Sequence, residues 1–216
     1  MALPYDGYWK DLGTWNILTE EMATSQIGKG ILSDDSVNTH LINELDIPAT
    51  VIGVRDIVVA ASPDGILVSD KASSPKIKEL ISDFNQPPMY EERIWGWSRV
   101  LDYAKYDDGN EMVTKRICIH EGKNSSNHYH NLCDEVWTIV RGEGELALDD
   151  YITRVKAGDI VHLPVGKKHG IKAFSELEFV EVQTGIGISD QDFTRLYFEW
   201  DDVINHFNKS KAKVIL

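Results

Sequence analysis

The stretch from Gly122 to Gly142 constrains this chain more tightly than any other. It reads G-KNSSN-H-Y-H-NLCD-E-VWTIVR-G. His128 and His130 are two residues apart, so on a strand both imidazoles leave from the same face. Glu135 follows a short Asn-Leu-Cys-Asp break, at the head of the strand-like run Val136–Val140. A second stretch, Gly158-DIVHL-Pro164-V-Gly166-KK-His169, supplies a third imidazole. Three imidazoles and a carboxylate can enclose one divalent first-row metal and leave positions open for water or substrate. A lone His on a strand is far more often a surface or satisfied core residue than a ligand. Four correctly typed residues, framed by Gly and Pro, reverse that weighting.

The spacing G-x5-H-x-H-x4-E-x6-G, then G-x5-P-x-G-x2-H, resembles both signature motifs of the cupins. Ala173 stands where the second motif often ends in Asn, which is not a ligand position. The resemblance implies a double-stranded β-helix, or jelly roll, with His128, His130, Glu135 and His169 holding one divalent metal per subunit. Zinc is the foremost expectation, with Mn, Fe, Ni or Co as alternatives. Cys133 lies between ligands and reads as a buried bystander. The runs Met112–Ile119, Val136–Val140, Glu145–Leu148, Ile160–Leu163, Gly170–Phe174 and Glu178–Thr184, separated by tight turns, independently predict many short antiparallel strands and a barrel that can hold a ligand. Phe193, Leu196 and Trp200 are spaced as on a helix over Gln191–His206.

Ahead of the barrel the chain has a different character. Asn16–Met22 reads as helical, and Ala49–Val54, Asp56–Ala61 and Gly65–Ser69 are β-branched runs parted by turns such as Ser62-Pro63-Asp64-Gly65. They suggest a small sheet or a few coils of a β-solenoid. Pro75–Phe84 has helical spacing, closed by Asn85 and the Pro87-Pro88 pair, the best linker in the chain. The domains expected are therefore 1–88 and 89–216.

Trp9 to Trp15 (W-K-D-L-G-T-W) and Val51 to Lys71 resemble the closing segment of mannose-1-phosphate guanylyltransferases, a family in which the matching Asp, here Asp11, helps hold magnesium. Arg93-Ile-Trp-Gly-Trp97, Val182-Gln-Thr-Gly185 and Asp192-Phe-Thr-Arg195 resemble motifs of the type II, bifunctional mannose-6-phosphate isomerase/mannose-1-phosphate guanylyltransferases. The resemblance implies the C-terminal part of such an enzyme, with most of the nucleotidyltransferase domain missing. No Gly-rich phosphate loop occurs in the sequence, so guanylyltransferase activity is not expected and Asp11 reads as a structural relic or turn residue. The ligand loop departs from the family's H-x-H-R-A-E-H: four residues separate His130 from Glu135, and Val136 replaces the final His. That departure bears on substrate rather than on metal.

What the resemblance implies chemically is conversion of mannose 6-phosphate to fructose 6-phosphate, in GDP-mannose biosynthesis. Lys115, Glu181 and Arg195 are then candidates for catalysis, and Arg93, Arg116 and Gln183 for substrate binding. Strand parity puts Glu181 and Gln183 on one face and Val180 and Val182 on the other, with either face free to be interior. Two other readings stand beside this one: a metal cupin of different specificity, and a non-catalytic binding module of a truncated nucleotidyltransferase.

The formal charge of −13 disfavours a nucleic-acid partner, and an anionic sugar phosphate would need local cations working against that field. No apolar run approaches the roughly 18 residues that span a membrane. The first residues lack the pattern of a signal peptide, and two cysteines outside any CxxC pair suit a reducing compartment, so the cytoplasm is expected. A homodimer is expected too, because the apolar strands of the first segment need covering.

Overall fold

The computed structural model describes residues 7–82, 88–189 and 192–213, the last five without side chains. The chain divides into two compact units, Met1–Pro87 and Pro88–Leu216. Apart from Pro88, the expected linker lies outside the described residues.

The first unit opens with helix α1 (Trp15–Glu21). Short strands follow: β1 (Gln26–Gly28), β2 (Gly30–Leu32), β3 (His40–Asn43), β4 (Ala49–Val51), β5 (Ile57–Ser62) and β6 (Gly65–Asp70). β1, β3 and β5 pair in parallel, as do β2 and β4, while β6 returns antiparallel on β5. Parallel pairing of successive short strands is the arrangement of solenoid coils rather than of a hairpin sheet. Leu41 and Val58 are fully enclosed between the coils. The buried Asn43 amide donates to the carbonyls of Lys29 and Ile47, both at 2.7 Å, and so ties two turns together. The helix expected over Pro75–Phe84 is shorter than its spacing suggests. A 3-10 turn (Lys71–Lys76) containing Pro75 leads into a single α-turn, α2 (Ile77–Leu80). Leu80 and Ile81 stay exposed, so the apolar face finds no core to extend against.

The second unit is built of β7 (Tyr90–Arg93), β8 (Gly96–Lys105), β9 (Asn110–Ile119), β10 (Asn127–His130), β11 (Cys133–Arg141), β12 (Glu143–Leu148), β13 (Tyr151–Lys156), β14 (Ile160–Leu163), β15 (His169–Ala173), β16 (Leu177–Ile186) and β17 (Phe193–Tyr197), closed by α3 (Trp200–Lys213). The described strands form two sheets instead of one closed barrel: β14-β11-β16-β9-β8-β7 and β13-β12-β15-β10-β17. Pairing within the two sheets is antiparallel throughout. Their facing sides bury one cluster that includes Ile117, Ile119, Trp137, Ile139, Phe179 and Leu177 from the first sheet and Leu146, Leu148, Val155 and Ile171 from the second. Alternate residues of β11 (Cys133, Glu135, Trp137, Ile139) and of β16 (Leu177, Phe179, Glu181, Gln183) are buried on the inner face, as a period of two requires, with Glu178 buried as well on the outer face of β16.

The C-terminal stretch corrects its helical reading. Phe193–Tyr197 pairs with β10 as an edge strand, and the helix starts only at Trp200. Trp200, Val203 and Phe207 then pack with Ala147 on the outer side of the five-stranded sheet. Hydrogen-bonding to the exposed edge of β10 outweighs a three-residue apolar spacing.

Candidate metal centre

Each framing glycine has a mechanical task. Gly142 turns the chain from β11 into β12 with φ of +79°, and a Cβ there would lie 2.2 Å from the Glu176 carbonyl oxygen. Gly166 has φ of +79° as well, and its N–H donates to the His130 carbonyl at 2.8 Å. The second motif's loop is thereby tied to the first motif's strand.

The four expected ligands come from both sheets. His128 and His130 lie on β10, and His169 opens β15 directly opposite His128 in register. Glu135 projects from β11 of the facing sheet, opposite Gln183 of β16. Ring nitrogens of His128, His130 and His169 approach within 4.8 Å of one another. Glu135 closes the group: its Oε1 lies 3.0 Å from His130 Nε2 and its Oε2 3.3 Å from His169 Nε2.

Backbone carbonyls orient two of the rings. His128 Nδ1 is 2.8 Å from the Ser126 carbonyl, and His169 Nδ1 is 2.8 Å from the Lys167 carbonyl. Each Nδ1 therefore carries the proton, which leaves Nε2 as the lone-pair donor toward the centre. Glu135 is oriented from its own side: Gln183 Nε2 donates to Oε1 at 2.8 Å and Trp137 Nε1 to Oε2 at 3.1 Å. His169 Nε2 is buried and makes no hydrogen bond beyond the 3.3 Å approach of Glu135 Oε2. A lone ring nitrogen in a set of three imidazoles and an oriented carboxylate suits a borderline dication. These residues fit a metal ion; they do not choose among Zn, Mn, Fe, Ni and Co.

Charge follows from packing. Burial, with His169 and His130 beside it, holds the His128 imidazole down at about 3. Burial also opposes charge on Glu135, but its contacts with His130 and His169 win and keep it well below the usual carboxylate range. His130 is raised, since Glu135, Glu181 and Asp192 outweigh its burial. Glu181 behaves in the opposite way to Glu135: burial and the Glu135 charge push it up to about 8. Burial lifts the Cys133 thiol too, with Glu135 adding to it, as suits a bystander.

A cavity of about 330 Å³ opens on this group. Lys115, Glu181, Gln183, Arg93 and Arg195 all line it, so five of the six expected catalytic and substrate-binding residues share one space with the ligands. Lys115 sits opposite Glu181 in the β9–β16 register. Arg93 donates to both oxygens of Glu91 at 2.8 Å, and the Arg195 guanidinium lies 4.8 and 4.6 Å from the ring centres of Phe193 and Phe198.

Arg116 is the exception. Alternation along β9 sends it to the face opposite Lys115, where its Nε bonds Glu178 at 2.9 Å and its guanidinium lies 5.5 Å over the Trp97 ring. It is no neighbour of the cavity. Residues that sequence reasoning missed include Trp137, whose i+2 relation to Glu135 was a usable signal. Asp192 is another: its carboxylate accepts from the backbone N–H groups of Asn131 and Leu132 and holds the loop that follows His130.

Residues 115–182 match the Cupin domain model. A mannose-1-phosphate guanylyltransferase of Escherichia coli (strain K12) is 24% identical over 208 residues, covering 90% of this chain and 42% of the relative. One from Salmonella montevideo is 27% identical over 210 residues, covering 90% and 43%. The chain thus spans less than half the length of these curated relatives. Among solved structures, an uncharacterized conserved protein with a double-stranded beta-helix domain from Klebsiella pneumoniae aligns over 53% of this chain and 92% of its own, at 21% identity and a TM-score of 0.40. The strand pairing and the family match converge on one statement: residues 115–182, which carry His128, His130, Glu135 and His169, are a cupin domain.

Proposed function

We propose that the cupin unit is a metal-dependent aldose–ketose isomerase that interconverts mannose 6-phosphate and fructose 6-phosphate, a step toward GDP-mannose. The observation that carries this reading is Glu181. It is a buried carboxyl raised to about 8, in the cavity lined by His128, His130 and Glu135, and opposite Lys115 in register. The relatives are named for a different phosphate of the same sugar, mannose 1-phosphate, which supports a mannose phosphate as substrate class.

His128, His130, Glu135 and His169 would hold a dication, which would supply Lewis acidity to the sugar's oxygens. The chain's own groups do the rest. In its carboxylate form Glu181 takes the proton from C2 of the open-chain aldose. The C–H electrons form the C1–C2 double bond, and the carbonyl pair moves onto O1. The O2 proton passes to O1. Glu181 then returns its proton to C1 as the C2 carbonyl forms, so nothing is consumed. Lys115 lowers the cost of charge on Glu181. Gln183, its nitrogen committed to Glu135, turns an unpartnered buried Oε1 toward a sugar hydroxyl. Arg93 and Arg195 are the cations for the phosphate, which offsets the chain's acidic field.

The test is a coupled fructose-6-phosphate assay on metal-loaded protein, run against a panel of sugar phosphates. Turnover of mannose 6-phosphate that falls at least 100-fold in Glu181→Gln, with metal content intact, supports the proposal. Turnover of another sugar alone would mean a cupin of different specificity. Metal and sugar binding without turnover would mean a binding module.

A further inference from the structure

On the opposite side of the six-stranded sheet, away from the cavity, three donors of different kinds meet. Cys118, near the end of β9, His120, just beyond it, and Glu176, in the turn entering β16, place a sulfur, a ring nitrogen and a carboxylate oxygen within 4.8 Å of one another. We infer that they form a second metal site, selective for a thiophilic dication such as zinc and independent of the cavity.

The sheet assembles this cluster in advance. β9 and β16 are bonded in register from Ile119↔Leu177 through Cys118↔Glu178, so the end of one strand and the start of the other cannot drift apart. His120 is pinned on both sides, its N–H donating to the Trp95 carbonyl and its carbonyl accepting from Lys123 N–H, each at 2.9 Å. Cys118 is enclosed at the floor, while His120 and Glu176 stand exposed at the rim. The rim therefore leaves an open position for water, as three-ligand zinc sites do.

Donors around tetrahedral zinc lie roughly 3.5 Å apart, given bonds of about 2.0–2.3 Å. Closing from 4.8 Å falls to the two exposed side chains, His120 and Glu176. One competitor stands in the way: Arg141 Nη1 lies 3.1 Å from Glu176 Oε1 and 3.4 Å from Glu178 Oε1. Arg141 is 65% exposed, so its ion pair is a weak, solvent-screened one that a dication can displace. On binding, the Cys118 thiol gives its proton to solvent and the thiolate bonds the metal, so the site gains one positive charge. An S/N/O donor set favours zinc over the harder magnesium or calcium.

Equilibrium dialysis of the full chain against zinc alone, followed by metal analysis, should find two equivalents in the wild type. His120→Ala, an exposed change, should lose one of them, while His128→Ala/His169→Ala should lose the other. Cobalt alone should give a sulfur-to-metal charge-transfer band that survives His128→Ala/His169→Ala and disappears in Cys118→Ser. If the buried serine variant fails to fold, disappearance of the band in His120→Ala carries the same meaning. A single zinc equivalent in the wild type overturns the inference, as does a second equivalent that persists in His120→Ala. So does a band lost in Cys133→Ser but retained in Cys118→Ser, which would place the sulfur at the inner cluster.

Discussion

Two carboxylates a few residues' width apart behave as different acids here, and the difference is entirely one of partners. Glu135 accepts from Gln183 and Trp137 and meets two imidazoles, so its charge is satisfied. Glu181 is 5% exposed and feels the charge on Glu135. A carboxyl raised from its ordinary value to about 8 binds its proton more tightly in the folded state than in the unfolded one. It thus contributes stability below about pH 4.5, and that contribution is lost as pH rises through 8. Metal-free Glu181→Gln should accordingly be more stable than the parent at pH 9 and show a flatter midpoint-versus-pH curve between 5 and 9, measured by thermal unfolding. An unchanged curve would mean that Glu181 is not buried as a neutral acid. Gln183→Leu removes one of the two donors that orient Glu135 and should weaken metal affinity roughly 10–100-fold, read by competition with a chelator. Unaltered affinity would leave Gln183 with a role toward substrate only.

At the scale of elements, the centre depends on where two sheets face each other. β10 and β15 present the histidines from one sheet, and β11 presents Glu135 from the other, so the ligand set is a bridge across the core. The turns that seat those strands are therefore part of the site. Gly142→Ala would force a Cβ to 2.2 Å from the Glu176 carbonyl in a left-handed conformation, at a cost of about 2 kcal/mol or more. A fall in melting midpoint of roughly 4–8 °C is expected for a chain of this size, measured by calorimetry. Tolerance of the alanine would show that the β11–β12 turn relaxes freely. Much of this level was legible in advance. The motif glycines marked the turns and the period of two marked the inward faces of β11 and β16. β17 was not legible, because an edge strand is chosen by the neighbour it pairs with rather than by its own apolar spacing.

For the whole molecule, the unresolved matter is what covers the first unit. Ile27, Ile31, Ile47, Ile52, Ile66 and Val68 are all exposed on its coils, an apolar surface that parallel stacking alone does not bury. A homodimer is expected from this, and sedimentation at micromolar concentration should give about twice the single-chain mass of 24.4 kDa. A mass near that of one chain would count against it.

By itself the sequence determined the class of fold and singled out His128, His130, Glu135 and His169 as one cluster. Both rest on local rules: two-residue parity, left-handed glycines at turns, and donor types that suit a metal. It also determined that Glu181 and Gln183 share a face, but not which face was inside or that Lys115 stands opposite Glu181. Only the tertiary structure decided that, by packing the β16 face bearing Glu181 and Gln183 against the histidine sheet and turning Arg116 outward to Glu178. The physical reason is that burial is a property of what lies opposite. The same carboxyl is an ordinary acid on a surface and a proton carrier near neutrality in a core, and no spacing along the chain records which of the two it will be.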